Sequence, residues 1–176
     1  MLVLAVVVAL ALPAMAWSAS PYVSSIKDGK YEGTINSKNP DLNGQKVTME
    51  VKHEGDVAVA TVLYKDGKGA EMKEVWKIGE KNLDQQDFDA KTGKAGDKYG
   101  ATATVAATTN AQTFFINCKD KVKNDCDAGA DARLNWTIKT GPDAVNYIVS
   151  GVTKEKKGDP TAKPEQRHDF AFKRVK

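Results

Sequence analysis

Apolar and polar residues alternate with period two along most of this chain. Gly accompanied by Asp, Asn or Lys interrupts the alternation every several residues. Lys46 to His53 is the cleanest stretch: Val47, Met49, Val51 and His53 fall on one side, and Lys46, Thr48, Glu50 and Lys52 on the other. Successive side chains of an extended backbone point to opposite faces, so this pattern predicts a strand with one dry face and one wet face. Glu54-Gly55-Asp56 predicts a turn, and Val57 to Tyr64 the returning partner. A second turn at Asp66-Gly67-Lys68-Gly69 leads into a strand over Met72–Ile78. Further strands are expected at Lys30–Ile35, Tyr99–Ala107, Gln112–Cys118, Arg133–Lys139, Ala144–Val152 and His168–Val175, with a weaker one at Leu83–Phe88. Ala101 to Ala111 is rich in Ala, but Thr102, Thr104, Val105, Thr108 and Thr109 favour an extended chain.

Roughly nine or ten short strands separated by turn signals predict an all-β fold rather than alternating strands and helices. The expected architecture is an antiparallel up-and-down β-barrel of about 8–10 strands, with a β-sandwich as the alternative. Sustained apolar spacing at three and four residues is absent, so long helices are not expected. Lys156 to Gln166, with Pro160 and Pro164, is expected to be an exposed loop before the last strand.

The opening residues break the pattern. Leu2 to Leu12 run without a charge or polar group, Pro13 ends the run, and Ala14-Met15-Ala16 offers the small-x-small pattern of a signal-peptidase site. The run is too short for a bilayer core of roughly 30 Å, which takes about 20 residues. Residues 1–16 are therefore expected to be a signal peptide, although no Lys or Arg precedes the apolar run. Residues 17–28 would form an N-terminal lead-in and residues 29–176 a single barrel domain. The expected location is periplasmic or secreted. In an oxidising compartment the two cysteines, Cys118 and Cys126, are expected to form a structural disulfide closing a polar loop. Seven residues separate them, unlike the two of a redox pair.

Charge narrows the partners. The formal net charge is +3, with Lys and Asp/Glu interleaved and no basic stripe, so no nucleic-acid partner is expected. Lys154-Glu155-Lys156-Lys157 reads as a solvated turn. A membrane-embedded barrel would turn Lys46, Glu50 and Lys52 toward lipid on one strand, and Arg133 and Lys139 on another, so none is expected.

Candidate chemistry is sparse. The two histidines, His53 and His168, are not spaced as metal ligands. His53 continues the inward parity of its strand and reads as a satisfied core or rim residue, whereas His168 is expected to be exposed at the start of the last strand. No Gly-x-Ser-x-Gly elbow occurs. The acidic runs Asp84-Gln85-Gln86-Asp87-Phe88-Asp89 and Asp120 to Asp127 lack the calcium-loop pattern and read as surface carboxylates. Enzymatic activity, a metal and a cofactor are not expected.

Aromatic placement is more informative. Leu134, Trp136 and Ile138 share a face, Tyr147 and Val149 share another, and Trp76 keeps the parity of Met72 and Ile78. A barrel would bring Trp76, Trp136 and Tyr147 inward beside small residues such as Ala101 and Ala103. The alternative is a filled core, which small barrels have by default. Gly29-Lys30-Tyr31-Glu32-Gly33 opens the first strand and Arg174 sits in the last. At these two ends the chain resembles lipocalin-like barrels, which carry a Gly-x-Trp and a closing Arg that stacks on the aromatic; here the aromatic is Tyr31. The resemblance implies a closed bottom and a ligand cavity. The expected function is thus an exported binding module for a small apolar or amphipathic ligand, with Trp76, Ala103, Trp136 and Tyr147 as candidate ligand-binding residues. The alternative is a protein-interaction module, an inhibitor or assembly factor, with a filled core and no ligand.

Overall fold

A computed structural model of the protein describes residues 21–116, 131–153 and 161–176. The expected signal peptide and the expected Cys118–Cys126 bridge lie outside these residues. A five-residue helix, α1 (Pro21–Ser25), precedes ten strands. These are β1 (Gly29–Ser37), β2 (Lys46–Glu54), β3 (Val57–Lys65), β4 (Glu71–Ile78), β5 (Asn82–Asp89), β6 (Ala95–Thr102), β7 (Ala111–Ile116), β8 (Asp131–Gly141), β9 (Ala144–Thr153) and β10 (Glu165–Arg174). Every strand pairs antiparallel with its sequence neighbours, and β1 pairs with β10 to close the ring. The architecture is an up-and-down antiparallel β-barrel.

Period-two alternation explains the burial. In β2, Val47, Met49 and Val51 are buried while Lys46, Thr48, Glu50 and Lys52 face water. The weak candidate Leu83–Phe88 is a full strand, β5, despite its polar composition. It holds its place because Leu83 is buried against Ile78 and Ala101 in register, and because Gln86 donates to the carbonyls of Gly96 and Asp97.

The largest departures from the sequence pattern are at two strands. The strand expected over Tyr99–Ala107 lies instead over Ala95–Thr102. Beyond it the Gln112 amide donates to the carbonyls of Val105 (3.2 Å) and Glu80 (3.1 Å), which takes those groups away from any ladder. The last strand begins at Glu165 rather than His168. His168 is half-buried, not exposed, and its Nδ1 lies 2.8 Å from Ser37 Oγ on the paired strand.

Closure is tight where the chain ends meet. An ideal Cβ on Gly33 would fall 1.9 Å from the Ala171 carbonyl oxygen, so β1 can approach β10 this closely only with glycine there. In the same ladder Tyr31 stands opposite Arg174. The Tyr31 hydroxyl donates to the Lys27 carbonyl (2.7 Å), and the Arg174 guanidinium to that of Asp28 (2.6 Å).

Helix α1 seals this end. Pro21 occupies its first turn, where no backbone N–H is needed. Tyr22, Val23 and Ile26 are fully buried in the barrel core, Tyr22 with its ring 6.5 Å from Phe114. Ser25 Oγ donates to the Tyr22 carbonyl and lies 2.6 Å from Thr140 Oγ1 on β8. His53 at the end of β2 is a satisfied rim residue, its two ring nitrogens meeting the Asp28 carboxylate and the Val23 carbonyl. The segment entering β1 is thereby both a plug and a clamp.

Candidate ligand cavity

The opposite end of the barrel is not filled by the described residues. A cavity of about 420 Å³ opens there, inside the range of small-molecule sites. Its aromatic wall is continuous. Tyr99 meets Trp136 (6.4 Å between ring centroids), Trp136 meets Tyr147 (6.1 Å), Tyr147 meets Phe170 (5.7 Å) and Phe170 meets Tyr64 (5.6 Å). Leu134, Val149, Ile116 and Leu42 complete its apolar lining. Each of these strand residues sits at inward parity, so the same alternation that packs the sealed end supplies this wall.

Trp136 and Tyr147 line the cavity, as two of the four residues expected from sequence. Trp76 lies beneath it, with no exposed surface and its ring 4.3 Å from that of Tyr147; Phe172 packs against it from below (6.3 Å). It forms the floor rather than the wall. Ala103 follows β6 and packs against the core, outside the lining.

Sequence reasoning missed the polar side of the cavity. Glu74 on β4 stands directly opposite Asp87 on β5, and both carboxyl-bearing side chains line the cavity with Gln85. Glu74 is only 5% exposed. Tyr64 donates its hydroxyl to one Glu74 oxygen, and the Trp76 indole donates to the other at 2.6 Å. Tyr147 donates to Gln85 Oε1 (3.1 Å), which orients that ring edge toward the same patch. Loss of water pushes the Glu74 carboxyl up to about 7; the Tyr64 bond pulls it down, the facing Asp87 raises it, and the Trp76 bond lowers it. Burial likewise holds the Tyr147 phenol well above its ordinary range. A signal was present: Glu74 shares the inward parity of Met72, Trp76 and Ile78, an acid on an otherwise apolar face. Asp87 reads from sequence as a surface carboxylate because the acids and amides around it, Asp84, Gln85, Gln86 and Asp89, mask the alternation.

Across the ring, β10 contributes Arg167 and His168 to the cavity mouth. Arg167 occupies the bulge at the register shift between Gln166 and His168, which re-aims one residue of the strand. β10 and β5 are five places apart in a ring of ten, so these groups stand on the wall facing the carboxylates.

Fold and cavity together define a closed ten-stranded antiparallel barrel, sealed at one end and hollow at the other. No protein-family model matches the chain, and no curated protein sequence matches it. The chain is similar in fold to the crystal structure of Rv2717c from M. tuberculosis. That likeness has a TM-score of 0.51 at 11% identity, over 89% of this chain and 94% of the other.

Proposed function

We propose that this protein is an exported barrel module, lipocalin-like in its design, that holds one small amphipathic molecule in the hollow end. The observation that carries this reading is the aromatic cavity itself. A barrel of about eight strands is just wide enough to be filled by side chains or to hold one small ligand. This ten-stranded ring is wider, and while its lower half is packed, its upper half leaves about 420 Å³ above the Trp76 floor. Burial of an apolar body there would supply about 25 cal/mol per Å² removed from water, less the losses of association. The apolar leader ending at Ala14-Met15-Ala16 supports export. The competing reading, an interaction module with a filled core, has no use for an aromatic hollow.

Calorimetric titration with fatty acids, isoprenoids and fused-ring aromatics tests the proposal. Saturable one-to-one binding is expected for at least one class, and Val149→Phe, which fills the hollow, should abolish it. Absence of saturable binding across all classes would overturn the reading in favour of the interaction module. Cell fractionation and amino-terminal sequencing should find the protein outside the cytoplasm with its terminus after Ala16; cytoplasmic protein with an intact Met1 terminus would refute export.

A further inference from the structure

The polar wall selects among amphipathic molecules, and this step rests on the binding-module reading above. We infer that the cavity takes an organic ammonium compound, its apolar body against the aromatic wall and its charged nitrogen at the Glu74–Asp87 pair. The cavity is the site; the carboxyl pair sets the chemistry of what enters it. Directly opposed residues on one face of an antiparallel pair bring their Cβ atoms to about 5 Å, and Glu74 and Asp87 are such a pair. Ionising both acids that close, in a space bounded by rings, sets two negative charges against one another, and an ammonium between them removes that repulsion. The rings add to this, since Tyr64, Tyr147 and Phe170 present π-faces or edges around the same space, and cations are attracted to such faces. A neutral alcohol would gain only a hydrogen bond from the pair, and a carboxylate would be repelled by it.

Among the described residues, Arg167 and the titratable His168 also line the cavity, on the far wall. The Arg167 guanidinium favours an anionic end on that wall, and the charged nitrogen is assigned to the wall formed by β4 and β5. Proton linkage gives it a second signature. Glu74 is partly protonated near neutrality, and an ammonium favours its ionised form. Amine binding at pH 7 should therefore release a fraction of a proton, and alcohol binding should release none.

The test uses three matched probes, naphthylethylamine, naphthylethanol and naphthylpropanoate, titrated calorimetrically into the exported protein. Buffers of different ionisation enthalpy at pH 7 report the proton released. The amine is expected to bind at least roughly tenfold more tightly than the alcohol, the scale of a charge-assisted contact. Glu74→Gln should remove most of that advantage together with the proton release, lowering amine affinity by a clearly larger factor than alcohol affinity. Asp87→Asn should weaken the amine in the same sense and provides an independent arm if Glu74→Gln folds poorly. Alcohol or propanoate binding at least as well as the amine would overturn the ammonium inference and leave the binding-module reading standing. Failure of all three to bind would overturn the ammonium inference, and the binding-module reading falls with it only where the fatty acids and isoprenoids fail as well.

Discussion

The two ends of this barrel are built from the same strands with the same alternation, yet one is solid and the other hollow. At the sealed end the interior is occupied by Ile78, Leu83, Phe114, Ile138 and Val145, with Tyr22, Val23 and Ile26 of the entering segment inserted among them. At the open end no segment among the described residues plays that part, and although Tyr64 and Phe170 meet edge to face, the lining rings leave a space above Trp76. Polar groups divide in the same way. Those at the sealed end serve closure: Ser25 meets Thr140, and His53 meets Asp28 and Val23. Those at the open end gather on the cavity wall as a buried acid, its partner acid and an amide. The lesson is that alternation fixes which side chains point inward, whereas filling depends on what is threaded into the ends.

The comparison can be broken most forcefully at the floor between the halves. Trp76→Ala removes a fully buried ring that packs on Tyr147, Phe170 and Phe172. It is expected to cost about 3–5 kcal/mol in denaturant unfolding. Trp136, at the cavity edge, already borders empty space, so Trp136→Ala should cost about 1–2 kcal/mol less than the Trp76 change. Equal costs would mean that the two residues sit in equally packed surroundings, and the division into solid and hollow halves would fail.

Glu74 sharpens the contrast through pH. Its carboxyl binds a proton more tightly in the folded protein (about 7) than at its ordinary value of 4.5. The resulting stabilisation is therefore complete below pH 4.5 and is lost as pH rises through about 7. Its size is on the order of 3 kcal/mol from the shift. Unfolding midpoints measured at pH 4.5 and pH 8 should differ less in Glu74→Gln than in the wild-type protein, with the variant gaining relative stability at pH 8. An unchanged pH dependence would place Glu74 in water. The closure seam offers a smaller effect. Gly33→Ala forces β1 and β10 apart at the Ala171 carbonyl and should cost about 1–3 kcal/mol in thermal unfolding.

Much of this was legible in the sequence. Strict alternation, as in Val47, Met49 and Val51, specifies a register because a one-residue slip would turn each of them into water. The barrel followed from the number and spacing of such runs. The plug did not, because a single turn of helix at Pro21–Ser25 is too short to show a helical period. Trp136 and Tyr147 were readable as cavity residues from parity alone, since both lie in well-alternating strands. Parity cannot set height along the barrel, which is why Trp76 lies under the cavity and Ala103 outside it. Asp87 was hidden for another reason: in a strand of Asp and Gln the polar pattern no longer distinguishes inside from outside.

The division between halves is tested most directly by mapping backbone amide and indole N–H chemical shifts while naphthylethanol is titrated into the protein. The account predicts saturable shifts confined to the upper half, at Tyr99, Trp136, Tyr147, Val149 and Phe170. Val23, Phe114 and Ile138 in the sealed half should remain still, and the shifts should vanish in Val149→Phe. Shifts spread evenly over both halves, or none at any residue of the aromatic wall, would contradict it.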